Sequence, residues 1–252
     1  MAAMTCLLLL LWAGVTVSTV VDLQKRIIGG HDCSRGYHVK LHRADPDSIC
    51  GGSLINNQWI LTAKHCWTGG TWKAYLGGNE VQISTSKKYT EDEKDHDIIL
   101  LKLSATTTTP HVNLPGPDNC KKTPEKVEVA GYGAKDTATG NERLLGPEHR
   151  STTLQCGEMK TLVDCETYQG RLSQNKPGAV EHMKHEHLLC AESKPVDISK
   201  GDSGGGAVHD GIIYGVIVNS SDDEYALKGP AAFMDVCNKK YRDWIQETIN
   251  GP

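Results

Sequence analysis

Strand-length apolar runs fenced by glycine and proline dictate most of what this chain can become. Residues 53–55, 59–62, 98–103, 127–130, 207–208, 212–218 and 231–236 are rich in β-branched and aliphatic side chains and too short for bundle helices. Gly51-Gly52, Gly69-Gly70, Gly77-Gly78 and Pro115-Gly116-Pro117 separate them with turn chemistry. Helical spacing surfaces only at the C-terminus, where Tyr241, Trp244, Ile245 and Thr248 recur at intervals of 3–4 residues. Many short strands with one terminal helix specify an all-β sandwich or barrel. A boundary near residues 115–124 would divide it into two comparable halves.

Composition agrees and narrows the partners. The 252 residues are 38% hydrophobic, enough for a packed core, and 23% charged, which excludes a disordered tail protein and a multi-span membrane protein. A net charge of −4 with no basic run argues against nucleic acid. With 26 Gly, 10 Pro and a single Phe, the chain suits turn-rich β architecture.

The N-terminus assigns a compartment. Leu7 to Trp12 is an unbroken apolar run followed by small residues up to Ser18, the pattern of a secretory signal cleaved after Ser18. The run is shorter than the roughly 20 residues a membrane span needs, so the mature protein is expected to be secreted and free of the membrane. Loss of the signal removes Cys6 and leaves eight cysteines, an even number that implies up to four disulfides in an oxidising compartment. No Cys-x-x-Cys pair favours zinc instead.

Three local patterns carry chemistry. Leu61-Thr62-Ala63-Lys64-His65-Cys66 sets a His beside a half-cystine after an apolar strand. Asp95-His96-Asp97-Ile98-Ile99-Leu100-Leu101 puts a carboxylate at the mouth of another, and Gly201-Asp202-Ser203-Gly204-Gly205 holds a Ser between glycines. A Ser hydroxyl attacks a carbonyl only when a base takes its proton. A His supplies that base, and a carboxylate on its other nitrogen fixes the tautomer. Glycines let backbone N–H groups approach a developing oxyanion. Each pattern alone is weak; their joint occurrence is not.

With these motifs the chain resembles the chymotrypsin/trypsin family of serine endopeptidases from Arg26 to Ile249. Arg26-Ile27-Ile28-Gly29-Gly30 is similar to a zymogen activation site, Cys50-Gly51-Gly52-Ser53-Leu54-Ile55 and Trp59-Ile60-Leu61-Thr62-Ala63 to family motifs, and Val236-Cys237 to the approach to the last helix. The resemblance implies two perpendicular six-stranded Greek-key β-barrels with a C-terminal α-helix and an active site between them. It implies a propeptide over residues 19–26 and a peptidase domain over residues 27–252. His65 is then the expected base, Asp97 its orienting carboxylate, Ser203 the nucleophile, and the N–H groups of Gly201 and Ser203 the oxyanion hole. The implied disulfides are Cys33–Cys156, Cys50–Cys66, Cys120–Cys237 and Cys165–Cys190. Cleavage after Arg26 would free the Ile27 ammonium to pair with Asp202.

By the same resemblance Asp197, six residues before Ser203, is the floor of a primary pocket for Arg or Lys. Several positions depart from the family pattern. Lys64 replaces an Ala, Gly206 replaces a Pro, and Val218-Asn219-Ser220 replaces Ser-Trp-Gly on the substrate strand. Val218 brings no hydroxyl to Asp97, Ser220 and Ala231 narrow the pocket walls, and Ile198 makes the wall beside Asp197 apolar. A restricted protease is expected, with protein or peptide substrates, protease inhibitors as partners, and a monomeric state. The segment between Leu76 and Asp97 is shorter than in typical trypsins by about a dozen residues, so no metal or other cofactor is expected. The acidic run over residues 91–97 reads as a solvated loop, and His182, His185 and His187 as a polar surface loop. The sequon at Asn219 falls on the substrate strand and is read as chance. The competing reading is a weak or inert homologue that uses the scaffold as a binding or toxin-like module.

Overall fold

Two curled antiparallel sheets carry the chain, and each forms because apolar residues alternate or run continuously where it must be buried. The computed structural model describes residues 27–251, so the expected signal segment and propeptide lie outside the described residues. The strands are β1 (His31–Asp32), β2 (His38–Ala44), β3 (Asp47–Leu54), β4 (Trp59–Thr62), β5 (Lys73–Leu76), β6 (Asn79–Val81), β7 (Ile83–Glu91) and β8 (Lys94–Leu103). They continue with β9 (Lys126–Gly131), β10 (Gln155–Lys160), β11 (Leu188–Ala191), β12 (Gly206–His209), β13 (Ile212–Ser220) and β14 (Ala231–Asp235). One sheet runs β6-β5-β2-β3-β4-β8-β7 and the other β1-β10-β9-β12-β13-β14-β11. Residues 104–125 join them.

The run Ile98-Ile99-Leu100-Leu101 in β8 is buried throughout. Its register pairs Leu61 with Leu100 and Ile60 with Leu101, so two apolar strands lie side by side in the first sheet. Helix α3 (Lys239–Asn250) adds Tyr241 and Ile245 to the same apolar cluster. Asn238 caps it by accepting from the Lys240 N–H. In the second sheet Val127, Val129, Ile217 and Phe233 form a separate core with Ile27.

Three expectations need correction. Each sheet has seven strands, not six, because the short β1 and β6 extend them. Two further helices exist, α1 (Glu166–Asn175) and α2 (Pro177–Met183). In α1 only Tyr168 and Leu172, one helical turn apart, are buried, so its apolar stripe is too narrow to read in sequence. Finally, the acidic run is no solvated loop. Residues 91–97 complete the β7–β8 hairpin, whose turn residues Asp92 and Glu93 hold φ of 48° and 61°. Strand β7 presents mostly polar side chains to solvent, which hid it from an apolar-pattern reading.

Four disulfides tie the elements together: Cys33–Cys156, Cys50–Cys66, Cys120–Cys237 and Cys165–Cys190. They are the same pairs that the resemblance implied. Where the sheets meet, Gly51 N–H donates to the Ser203 carbonyl at 2.7 Å and Thr62 Oγ1 donates to the Gly51 carbonyl at 2.8 Å. Gly204 holds φ +83°, and a Cβ on it would stand 2.2 Å from Thr62 Oγ1 and 2.3 Å from the Gly51 carbonyl oxygen. Only glycine lets the two backbones approach this closely.

Candidate active site

The short 3₁₀ turn Lys64–Trp67 follows β4 and presents His65, while β8 presents Asp97. Asp97 grips the turn twice: Oδ1 accepts the His65 backbone N–H at 2.8 Å and Oδ2 bonds His65 Nδ1 at 2.7 Å. Desolvation lowers the basicity of the imidazole, but the hydrogen bond and charge of Asp97 outweigh it and hold the His65 pKa above its ordinary value. The Lys64 ammonium lies 3.2 Å from Asp95, so its charge has a carboxylate partner beside the turn.

Ser203 comes from the turn ahead of β12 and lines, with His65, a cleft of about 380 Å³. Gly201, two residues earlier, holds φ +110°. Val218, Asn219 and Ser220 of β13 also line the cleft, as does Ile198. Ala231 is fully buried in β14, paired with Ser220, and stands behind that wall. Asn219 accepts from Lys176 Nζ at 3.2 Å. Gly206, where the family carries Pro, has a packing reason: a Cβ there would lie 2.6 Å from Ser53 Oγ. A larger cavity of about 590 Å³ lies elsewhere, lined by Arg35, His38, Tyr75 and Tyr132, and includes neither His65 nor Ser203.

Asp197 is fully buried beside this cleft, and its Oδ2 has two partners. Arg143 Nη2 donates at 2.6 Å and the Leu227 N–H at 2.8 Å. Burial pushes the Asp197 carboxyl up to about 6 against the pull of Arg143 and Leu227. Asp202, also fully buried, accepts N–H groups from Gly133 at 2.7 Å and Ser199 at 2.8 Å. Burial likewise pushes its carboxyl up to about 6. Ile27 is 1% exposed in the second core and holds φ +39°, a strained value for a β-branched residue.

Behind Asp97 sits a polar cluster where the sequence pattern predicts surface. His96, 1% exposed, bonds Tyr241 Oη at 2.5 Å and lies 3.0 Å from Glu186. Glu186 accepts from Tyr241 Oη at 3.1 Å and from the Asp97 N–H at 3.1 Å. His187 bonds Glu91, which also pairs with Lys240. Lys240 first and His187 second hold the Glu91 carboxyl down at about 2. His182 lies apart, in α2. Ligand atoms of His96, His185 and Glu186 lie within 4.8 Å of one another. Hydrogen bonds to Tyr241 and Asp97 already engage His96 and Glu186, which explains the cluster as support for Asp97. A second set, Cys50, His65 and Cys66, is closed to metal by its own disulfide.

A His–carboxylate pair that shares a cleft with a glycine-flanked Ser on two curled β sheets defines the class: a serine hydrolase on a double-barrel scaffold. The sequence profile of the trypsin family, described as Trypsin, matches residues 27–245. Serine protease 1 of Canis lupus familiaris is 32% identical, over 94% of this chain and 95% of that protein. Anionic trypsin of Bos taurus is 31% identical, over 96% and 97%. Among solved structures, neuropsin, a serine protease expressed in the limbic system of mouse brain, matches with a TM-score of 0.67 and 26% identity, over 88% of this chain and 100% of that one. The chain belongs to the trypsin family and is a serine-type endopeptidase.

Proposed function

We propose that this endopeptidase is secreted as a zymogen, activated by cleavage after Arg26, and hydrolyses peptide bonds after Arg or Lys. The observation that carries the reading is the 2.7 Å bond from His65 Nδ1 to Asp97 in the cleft that also holds Ser203. With Nδ1 committed to Asp97, Nε2 is the free lone pair. It takes the Ser203 proton as Oγ attacks the scissile carbonyl, then returns it to the leaving amine. The acyl-enzyme forms as the C–N bond breaks, and water repeats the sequence to release the acid. The N–H groups of Gly201 and Ser203 serve the oxyanion.

Activation has an electrostatic rationale. Asp202 is a buried carboxylate met by two backbone N–H groups at 2.7–2.8 Å, with its acidity weakened by burial. A freed Ile27 ammonium would supply the missing counter-charge, a poor source of stability but a good switch. Cutting before Ile27 would also relieve its left-handed φ. Secretion is supported by the four disulfides, which form and persist in oxidising compartments.

For specificity, the support is a fully buried carboxylate next to the cleft whose observed partner is a guanidinium. Profiling the chain cleaved after Arg26 on a peptide library tests the reading. Cleavage confined to Arg and Lys, and lost in Asp197→Ser, is the expected result. Cleavage after other residues that Asp197→Ser leaves unchanged would overturn the basic-residue assignment.

A further inference from the structure

The partner of Asp197 is supplied by the chain itself. Arg143 lies in a small hairpin, with Thr137 bridged to Arg143 and the Ala138 N–H bonded to the Glu142 carbonyl at 2.8 Å. Gly140 and Asn141 make its tip at φ 77° and 67°, the paired left-handed turn that a glycine permits. Two backbone bonds then tie the hairpin to the loop beyond β13: Arg143 N–H to the Glu224 carbonyl at 2.9 Å, and Ala226 N–H to the Asn141 carbonyl at 2.8 Å. The segment is therefore moored to that loop by its backbone.

From that mooring the Arg143 side chain enters the protein and is 4% exposed. Nη2 donates to Asp197 Oδ2 at 2.6 Å, Nη1 to the Ile198 carbonyl at 2.7 Å, and Nε to the Asp222 carbonyl at 2.9 Å. Arg143 also lines the cleft that holds His65 and Ser203. A carboxylate below and carbonyls at its sides are the recognition set that a basic substrate residue would require. Both cannot use Asp197 Oδ2 at once.

We infer that Arg143 is a specificity-determining residue that fills the primary pocket in competition with the Arg or Lys side chain of a substrate. The inference rests on the reading of Asp197 as the floor of that pocket. Substrate binds only the fraction of molecules in which Arg143 has withdrawn, so the apparent affinity for basic residues is reduced by that fraction. Chemistry at Ser203 is untouched once the substrate is seated. Arg143 should thus raise KM for basic substrates and leave kcat nearly unchanged.

The probe is p-aminobenzamidine, a small aromatic cation whose fluorescence reports binding, with protein cleaved after Arg26. Arg143→Ala should bind it at least tenfold more tightly than the parent, and the double variant Arg143→Ala/Asp197→Ser should lose that gain. Equal and measurable affinity in parent and Arg143→Ala would overturn the competition and leave the pocket assignment standing. No binding by either would sink the assignment of Asp197 and the competition with it. Because removing Arg143 strands a buried carboxylate and the variant can fail to fold, the parent supplies a second readout. Phenylglyoxal should modify Arg143 faster when the amidine is saturating, as read by peptide mass mapping. A rate that saturation leaves unchanged or slows would contradict displacement of Arg143.

Discussion

The backbone N–H of Asp97 donates to Glu186 Oε1 at 3.1 Å, so a carboxyl from the segment ahead of β11 bears directly on the residue that orients His65. Tyr241 Oη, His96 Nδ1 and His185 Nε2 face the same carboxyl. Burial pushes Glu186 up to about 7, against the Asp97 N–H and the Tyr241 hydroxyl. The unfolded chain loses this proton near the ordinary value of 4.5 and the folded chain near 7, so between those values the folded state binds more protons. Its contribution to stability therefore falls as pH rises through that window. Glu186→Gln removes this slope. Relative to the parent, its Tm should improve by on the order of 5–10 °C between pH 4 and pH 8. His96, which burial pushes down to about 4, contributes stability that rises with pH, the opposite sign to Glu186. A variant whose Tm offset is the same at both pH values contradicts the burial argument.

In the proposed mechanism His65 sets the acid limb of activity. Because Asp97 holds its pKa above the ordinary 6.5, kcat/KM should rise with pH to a midpoint above that value. Asp97→Asn should lower kcat by about 10⁴-fold through the wrong tautomer and move the midpoint down. Steady-state pH profiles of both proteins check it. A midpoint that Asn leaves in place would remove Asp97 from its role.

The motifs of the proposed catalytic residues are legible because each is local. His65 follows an apolar strand and precedes a half-cystine, Asp97 opens the most apolar strand, and Ser203 lies in a glycine-rich turn. The strand cores were legible for the same reason, since β4 is Trp59–Thr62 in both readings. Arg143 and Glu186 were not, because neither belongs to a motif. Arg143 meets Asp197 across 54 residues by way of a hairpin whose mooring depends on backbone bonds. Glu186 sits among histidines in a stretch that reads as polar surface, and only the return of α3 with Tyr241 buries it. The one signal available was His96 itself, an imidazole set between Asp95 and Asp97 where β8 turns from charged to apolar.

The contact between the sheets gives a stability prediction. Gly204→Ala forces φ +83° on a residue with a Cβ and drives it to 2.2 Å from Thr62 Oγ1. The backbone strain alone costs about 1–3 kcal/mol. Denaturant unfolding should reveal at least that loss, and kcat should fall because Ser203 is the preceding residue. Parent-like stability and rate would place the close approach of Gly51 and Gly204 outside the machinery.

Cys165 and Cys190 close a loop of 25 residues that contains α1 and α2. Changing both to Ala should cost about 3 kcal/mol, measured by urea unfolding. Because neither cysteine lines the cleft, the surviving folded fraction should keep its kcat. A variant as stable as the parent would show that the buried Tyr168 and Leu172 suffice to hold this segment.

The central claim is that His65 activates Ser203 in one cleft. Covalent labelling by an aryl fluorophosphonate tests it most directly, using protein cleaved after Arg26 and mass mapping of the adduct. One adduct per chain on Ser203, absent from Ser203→Ala and slowed by several orders of magnitude in His65→Ala, is the predicted result. No adduct on Ser203, or labelling at an undiminished rate without His65, would contradict the account.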